Sequence, residues 1–306
     1  KYDWSFQKIF WLYKKKYLNK NSLILEIGSN DGTFLKNFDK KRSYGFEPSR
    51  SVHLKSKEIG VNSINKFFNL KNISSLKNSF GKFDVISGAN VFCHIPNQID
   101  LIKSIDKLLS KNGTLILEEP YLGAMYEKTS YDQIYDEHIY MFSLSSIQKL
   151  YNLFGFELID ALPQKTHGGS MRYIIKRKNI TKKTTRLLKL LKFERNKKID
   201  KFSACLSFKK KVIMSKKLLR DKILKILSSK NKICGYGATS KSTTILNYCK
   251  INKNMLDCIY DTTKNKIGKL TPGTHIPVLN YKLFKNSSYK YVFLFAWNHK
   301  SEILKK

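Results

Sequence analysis

Apolar residues along the chain alternate between short runs and helical spacing. Short runs bounded by glycine, asparagine or serine predict strands at Leu23 to Ile27, Ser43 to Phe46, Phe83 to Ser87 and Gly113 to Leu117. Helical spacing predicts helices at about Trp4 to Tyr17, Thr33 to Phe38, Ser49 to Ile59 and Gln98 to Leu109. Strand-then-helix alternation of this kind predicts an α/β fold with a doubly wound, parallel sheet covered by helices on both faces.

The pattern changes after residue 117. Residues 118–140 are irregular and rich in Tyr, Glu and Asp, which is typical of a substrate loop beyond a strand's carboxyl end. A helix at Leu144 to Phe154, ended by Gly155, then leads to strands at Phe156 to Ala161 and Met171 to Arg177. These two strands predict a β-hairpin that closes the sheet.

A lysine-rich stretch with leucines at helical spacing, Thr181 to Ser229, predicts one or two connecting helices packed on their own protein, with a coiled-coil partner as the alternative. The alternation then restarts with strands at Lys232 to Tyr236, Leu256 to Asp261 and Tyr291 to Ala296, and a helix at Lys241 to Cys249. We therefore predict an α/β domain at 1–180, a helical connector at 181–230, and a smaller, substrate-binding α/β domain at 231–306.

Composition narrows the class of protein. The 306 residues, 42% of them hydrophobic and 13% aromatic, suffice for two buried cores and exclude a disordered or fibrous chain. An apolar run of about 18 residues and a secretory leader are both lacking, so we expect a cytoplasmic protein without membrane insertion. The five cysteines are odd in number and form no CxxC pair, which predicts reduced, mostly buried thiols and no metal site.

The net charge of +35 has three explanations. Lysine, asparagine and isoleucine are abundant along the whole chain, which favours a solvated lysine surface from codon bias over a basic patch on one face. An anionic small substrate attracted by the field is the second explanation. A nucleic acid partner ranks last.

A strand, a glycine turn and a helix adjoin at Leu25 to Thr33. Glycine there permits tight turning and close backbone approach to a ligand. Glu47 ends the next strand, at the spacing of about 20 residues at which a carboxylate accepts hydrogen bonds from ribose hydroxyls. The GxGxxG pattern of dinucleotide enzymes fails at Asn30. Glu26 before the glycine and the Gly-Ser-Asn-Asp-Gly loop instead resemble methyltransferases that depend on S-adenosylmethionine (SAM).

That resemblance implies a class I SAM methyltransferase sheet followed by a smaller Rossmann-like domain, with SAM as the cofactor. A further landmark, Gly88 to Ile95, follows the strand that begins at Phe83 and would lie beside the methionine part of SAM. The residues implied to bind the cofactor are Glu26, Gly28, Asn30, Asp31, Glu47, Pro48, Ala89, Asn90 and Val91.

Three blocks resemble a narrower family, the C-methyltransferases that act on nucleotide-linked 4-keto-deoxysugars. The first is Glu26 to Leu35 with Phe46-Glu47-Pro48; the second is Tyr135-Asp136-Glu137-His138 with His167 to Arg172; the third begins at Gly235-Tyr236-Gly237-Ala238 and includes Leu246 to Cys249, Pro272 to Pro277 and Ala296-Trp297-Asn298. Members similar to this chain begin with a cysteine-rich zinc domain, which we expect to be lacking from the given sequence. We also expect a terminal strand after Trp297 to be lacking from it. The resemblance implies deoxysugar biosynthesis and a diphosphate-linked nucleotide-sugar substrate.

Methylation of carbon requires a base, because the carbon next to a ketone must first lose a proton. The resemblance implies that His138 is this base, with Glu137 and Tyr135 orienting its imidazole or bonding the enolate oxygen. His94 is the second candidate.

Substrate contacts are predicted mainly in the second half. The turn from Gly235 to Lys241 opens a helix whose N-terminus would receive the diphosphate, assisted by Ser240 and Lys241; an ordinary tight turn is the alternative. Arg172 either pairs with a substrate phosphate or has a structural role. The predicted substrate-binding residues are His167, Gly168, Arg172, Gly237, Ser240, Lys241, Trp297 and Asn298.

Three other functions remain open. An O- or N-methyltransferase for a sugar or another small molecule would use the same cofactor domain. A nucleic-acid methyltransferase fits the charge, but the Asn-Pro-Pro-Tyr motif is lacking where Asn90-Val91-Phe92 stands. A degenerate, non-catalytic scaffold is disfavoured by the retained Glu26, Glu47 and His138. The oligomeric state stays undetermined.

Overall fold

A computed structural model describes residues 17–74 and 81–305, so the helix expected at about Trp4 to Tyr17 lies outside the described residues except for Tyr17. The chain divides into two compact units. The first comprises residues 17–122, 139–165 and 169–200 of the described chain, and the second comprises 123–138, 166–168 and 201–305. The expected connector is thus divided at residue 200, and two short segments of the first half belong to the second unit.

Strands and helices alternate in both units. The strands are β1 (Ile24–Ile27), β2 (Ser43–Phe46), β3 (Asn62–Ile64), β4 (Phe83–Ala89), β5 (Leu109–Pro120), β6 (Phe156–Gln164), β7 (Ser170–Arg177), β8 (Ile233–Tyr236), β9 (Ile259–Asp261), β10 (Val278–Asn280) and β11 (Tyr291–Leu294). The helices are α1 (Arg50–Glu58), α2 (Leu70–Ser74), α3 (Gln98–Leu108), α4 (Leu122–Lys128), α5 (Leu144–Asn152), α6 (Thr185–Asn196), α7 (Phe202–Ser228), α8 (Ser240–Cys249) and α9 (Lys300–Ile303).

The first unit contains a seven-stranded sheet in the order β3-β2-β1-β4-β5-β7-β6. Strands β1 to β5 pair in parallel, whereas β7 pairs antiparallel with both β5 and β6. This topology confirms the predicted doubly wound sheet with a closing hairpin. The predicted helix at Thr33 to Phe38 is only a 3-10 turn, Leu35–Asn37, and the three-residue strand β3 was not predicted.

Helix α3 shows why the apolar pattern yields this packing. Its N-cap Asn97 accepts a hydrogen bond from the Asp100 amide, which satisfies one free donor of the first turn. Its core face consists of Leu101, Ile102, Ile105 and Leu108. These side chains pack at helical spacing, whereas the polar face points to solvent.

A buried carboxylate fixes the helix that precedes the hairpin. Glu194 of α6 accepts hydrogen bonds from the Leu144 amide at 2.6 Å, the Ser145 amide at 2.9 Å and the Tyr121 hydroxyl at 2.9 Å. The amides belong to the first turn of α5, where a negative charge is favourable. Glu194 therefore connects α5, α6 and the end of β5.

The second unit is a four-stranded parallel sheet in the order β10-β9-β8-β11. This confirms the predicted smaller Rossmann-like unit. Its core includes Leu246 of α8, Val212 and Ile223 of α7, and Tyr131 from the segment 123–138. That segment is therefore part of the second unit's core.

All five cysteines are free thiols; Cys205 is exposed and the others are buried. Among the described residues, the search for a helix both long and apolar enough to cross a membrane found none.

Candidate active site

The turn after β1 is shaped by its glycine. Gly28 has φ of +70°, and a Cβ there would lie 2.8 Å from Cγ2 of Val91. Only glycine therefore fits between this turn and the turn after β4. Asn30, two residues later, also lies in the left-handed region with φ of +50°. Both turns stand at the carboxyl ends of β1 and β4, where the strand order reverses and ligands bind in such sheets.

Glu47 ties the end of β2 to this turn. Its Oε2 accepts the Asn30 amide at 3.0 Å, and its Oε1 accepts the Ser49 amide at 2.8 Å. Each carboxylate oxygen has a further lone pair, so both can accept ribose hydroxyls as well. The exposed neighbours Asp31 and Pro48 lie in the same two turns.

Glu26 is buried without full hydrogen bonding. Burial, followed by the charges of Asp31 and Glu47, raises the pKa of its carboxyl well above the usual range. Its Oε2 lacks a hydrogen-bond partner, as do Ser29 Oγ, Ser87 Oγ and Asn90 Oδ1. Glu26 and Ser87 are register partners on β1 and β4. Because buried polar atoms are rarely left unsatisfied, this cluster fits a polar ligand, and its acidity favours a cationic one.

A second buried carboxylate, which the sequence did not reveal as a site residue, fixes the turn after β4. Glu119 at the end of β5 accepts the Val91 amide at 3.0 Å and the Phe92 amide at 2.9 Å. Burial raises its pKa. Asn90 has φ of +54°, and its amide donates to the Glu118 carbonyl at 2.8 Å. The predicted contacts Ala89, Asn90 and Val91 are thus held by the end of β5.

His138 and Tyr135 contact each other in the second unit. The Tyr135 hydroxyl lies 2.9 Å from Nε2 of His138, and Nδ1 of His138 lies 2.8 Å from the Gln133 carbonyl. A carbonyl only accepts, so Nδ1 carries the hydrogen and Nε2 of the neutral ring accepts from the hydroxyl. Glu137 is exposed in the same turn. His94, the second candidate base, lies in the first unit, in the 3-10 turn Phe92–His94.

His167 and Gly168 form a left-handed bend with φ of 51° and 84°. Gly168 permits close packing, since a Cβ there would lie 2.9 Å from Cζ2 of Trp297. Desolvation, followed by the charge of Lys241, lowers the pKa of His167 to about 4, although much of the residue is accessible to solvent. Its imidazole is therefore neutral at neutral pH, and its place in the substrate site stays a prediction. The predicted Asn298 follows Trp297 in a 3-10 turn and is half-buried.

Arg172 is engaged within the first unit. Its guanidinium donates to Oε2 of Glu118 through Nε at 3.0 Å and through Nη2 at 2.6 Å, and both residues are buried. Using this charge to bind a phosphate would break a buried ion pair. The ion pair therefore favours the structural alternative for Arg172 over substrate binding.

The second glycine turn is bonded to a carboxylate of its own unit. Gly237 has φ of +88°, but the Ala238 amide already donates to Oδ2 of Asp261 at 2.7 Å. Ser240 lines a cavity of about 250 Å³ beside this turn, whereas Lys241 lines another of about 450 Å³. Adjacent residues of a helix point about 100° apart, which separates Ser240 from Lys241. The Asp261 carboxylate thus bonds the turn just before the helix, and Ser240 and Lys241 line different cavities, while the diphosphate at this helix N-terminus stays a prediction.

Comparison with known proteins gives two family matches. Residues 8–161 match the model described as a methyltransferase domain. Residues 165–306 match the model described as a C-methyltransferase C-terminal domain.

Individual relatives are distant. The chain is 26% identical to C-methyltransferase NovU of Streptomyces niveus over 291 residues, which are 94% of this chain and 69% of that protein. It is 26% identical to a tRNA U34 carboxymethyltransferase of Sulfurimonas denitrificans over 52% of each chain. Among solved structures, a SAM-dependent methyltransferase from Anabaena variabilis is 17% identical with a TM-score of 0.45, over 56% of this chain and 84% of that one.

Proposed function

We propose, from the premise that the chain belongs to the methyltransferase domain family, that it transfers the methyl group of SAM to a carbon of a nucleotide-linked keto-deoxysugar. The match of the second half to the C-methyltransferase C-terminal domain and the likeness to NovU support carbon as the acceptor. The sugar nucleotide follows from the sequence resemblance and agrees with the basic charge of the chain.

The observation that carries the proposal is the acidic pocket at the end of β1. Glu26 is buried with an unpartnered oxygen and lies in the field of Asp31 and Glu47, in a chain whose net charge is +35. SAM is a sulfonium cation with an α-ammonium group, and when bound it supplies an electrophilic methyl group. Glu26 would offset this positive charge, Glu47 would bond the ribose hydroxyls, and Ser29 and Asn90 would bond the remaining polar groups.

His138 and Tyr135 carry the proton transfer in this proposal. His138 accepts the proton from the carbon next to the ketone at Nε2, and the Gln133 carbonyl stabilises the resulting imidazolium through Nδ1–H. Nε2 has one lone pair, which in the free chain accepts from the Tyr135 hydroxyl. When the substrate binds, this hydroxyl would turn to the ketone oxygen, which exposes the lone pair for the proton and places a donor on the enolate oxygen as it forms.

Calorimetry with SAM tests the cofactor assignment. We expect Glu47→Ala to weaken SAM binding at least about tenfold, because hydrogen bonds to charged groups contribute about 1.5–3 kcal/mol. Glu58→Gln, an exposed carboxylate at the end of α1, is the matched control and should bind as the parent chain does. A chain that binds no SAM would overturn the proposal and favour a degenerate scaffold. A Glu47→Ala variant with unchanged affinity would overturn the role assigned to Glu47.

Product analysis tests the acceptor. With a nucleotide-linked 4-keto-deoxysugar we expect a new carbon-bound methyl group and loss of the α hydrogen. A methyl ether or methylamine would instead assign the chain to the O- or N-methyltransferases.

A further inference from the structure

One side of helix α7 is apolar although it faces solvent. Four large side chains form a line along this side, and between 47% and 76% of each is exposed: Phe202, Leu206, Ile213 and Leu224. Another side of the helix packs on the core of the second unit through Val212 and Ile223. Core packing therefore satisfies one side of α7 and leaves a second apolar side exposed.

The four exposed side chains, which we call the α7 stripe, point in nearly the same direction. At 100° per residue, their separations of 4, 7 and 11 residues bring them to within about 40° of one another around the helix. The stripe covers 22 residues, which corresponds to a length of about 33 Å. Single exposed apolar residues are ordinary on a protein surface, whereas an aligned series of them indicates an interaction surface.

Basic residues flank the stripe. Helix α7 contains seven lysines and one arginine but one acidic residue. Lys209 and Lys210 lie three and four residues after Leu206, and both are exposed. Lys217, also exposed, lies four residues after Ile213. Residues three and four apart are neighbours on a helix, so these lysines stand beside the stripe and give it positive edges.

The charges on α7 disfavour a second copy of this chain as the partner. A coiled coil needs apolar residues at every third or fourth position along its seam. Lys216 and Lys217 instead hold the positions three and four residues after Ile213, and Arg220 holds the position four residues before Leu224. Two α7 helices would therefore meet with like charges at the seam. The coiled-coil partner that the sequence left open is disfavoured for this reason.

An anionic lipid surface matches both the apolar stripe and its positive edges. A nucleic acid would pair with the lysines, but its phosphate backbone has no use for a long apolar stripe. A peptide needs a groove, and the groove on α7 is lined by other residues, Met214 and Leu218 among them. A helix that lies in a membrane interface buries its apolar side about 5–10 Å deep and keeps its lysines at the charged headgroups.

We propose that α7 docks the second unit on an anionic phospholipid surface. The stripe enters the boundary between headgroups and acyl chains, and Lys209, Lys210 and Lys217 pair with the headgroup phosphates. The helix lies in the plane of the interface, in keeping with the finding that no helix of the described residues is long and apolar enough to span a membrane. These residues have no part in the proposed proton transfer, so docking is measured without substrate or SAM.

Co-sedimentation of the full chain with vesicles tests the proposal. We expect binding to vesicles of equal parts phosphatidylcholine and phosphatidylglycerol, weaker binding at higher salt, and little binding to phosphatidylcholine alone. Lys209→Gln combined with Lys210→Gln should weaken binding about fivefold for each lysine removed. Leu206→Ser combined with Ile213→Ser should weaken it about tenfold or more. The matched controls Lys253→Gln and Leu153→Ser, both at exposed residues outside α7, should bind as the parent chain does.

A second measurement separates insertion from surface attraction. Ile213→Trp should shift its fluorescence emission to the blue when the mixed vesicles are added, by more than the parent chain does. All substituted side chains are exposed, so thermal unfolding should be unchanged in every variant. Equal binding to both kinds of vesicle, binding to neither, or full binding by the Leu206→Ser, Ile213→Ser variant would overturn the proposal. Tighter binding of transfer RNA than of vesicles, or a dimer in sedimentation that this variant dissociates, would overturn it in favour of a nucleic acid or a second copy.

Discussion

Replacing Glu26 by glutamine should change stability and cofactor binding in opposite directions. The free chain holds the Glu26 carboxyl with a raised pKa because of burial and of the charges on Asp31 and Glu47. A folded-state pKa above the unfolded one contributes stability that is complete below the unfolded pKa and is lost as pH rises through the folded pKa. Glutamine is neutral at every pH, so Glu26→Gln should stabilise the free chain above that window. The gain is about 1.4 kcal/mol for each pH unit by which the folded pKa exceeds the unfolded one.

Cofactor binding should respond with the other sign. A bound cation favours the ionised carboxylate and lowers the pKa of Glu26, so SAM binding should release a proton. Affinity should rise with pH between the bound and the free pKa and level off above the free pKa, about tenfold for each pH unit by which binding lowers it. Glu26→Gln loses this pH dependence and the charge-assisted contact, which should weaken SAM binding roughly 10- to 150-fold.

Two measurements decide the matter. Calorimetry in buffers of different ionisation enthalpy counts the protons released, and urea unfolding at several pH values measures stability. Glu58→Gln serves as the exposed control in the same unit. Equal SAM affinity in Glu26→Gln, or SAM binding without proton release, would refute the role assigned to Glu26; a loss of stability at neutral pH would refute the physical account of its pKa.

Three further changes have defined consequences. Tyr135→Phe removes the hydroxyl that lies 2.9 Å from Nε2 of His138. It should lower kcat by up to about 10²–10⁴-fold and leave the SAM affinity measured by calorimetry unchanged. Unchanged turnover would contradict the proposed coupling. Glu194→Ala removes the acceptor of the Leu144 and Ser145 amides and should cost about 3 kcal/mol or more in urea unfolding. A loss below about 1 kcal/mol would argue against its role at α5. Gly168→Ala adds a Cβ against the Trp297 ring at a residue with positive φ. It should destabilise the chain by more than about 1 kcal/mol and shift the fluorescence emission of Trp297. Unchanged stability and emission would contradict the packing argument.

Local pattern predicted most of the longer elements, but not α4 (Leu122–Lys128), which lies in the stretch 118–140 that was expected to be irregular. Strand periodicity and a fixed residue spacing are both local signals. Together they predicted the turn after β1, with Gly28 and Asn30, and the position of Glu47 directly after β2. Strand β3 and the 3-10 turn Leu35–Asn37 have three residues each, too few for a period to be read.

Long-range partners were beyond the sequence. Glu119 binds amides 27 and 28 residues away, Glu194 binds an amide 50 residues away, and Arg172 pairs with a residue 54 positions away. These contacts depend on which charged side chains the folded sheet buries next to each other, and the local sequence pattern does not contain that information. The different directions of the Ser240 and Lys241 side chains could have been predicted from the sequence, because they follow from helical geometry alone.

The interrupted path of the chain limits how this protein can be divided. Residues 123–138 lie in the first half of the sequence but belong to the second unit. Tyr131, within this segment, is part of the hydrophobic core that also contains Leu246. A fragment that starts at residue 201 would lack this ring and the catalytic candidates Tyr135 and His138. A single cut therefore cannot produce either unit intact. Recombination between related genes would have to exchange both units together, so that the cofactor turn and the candidate base are inherited as one piece.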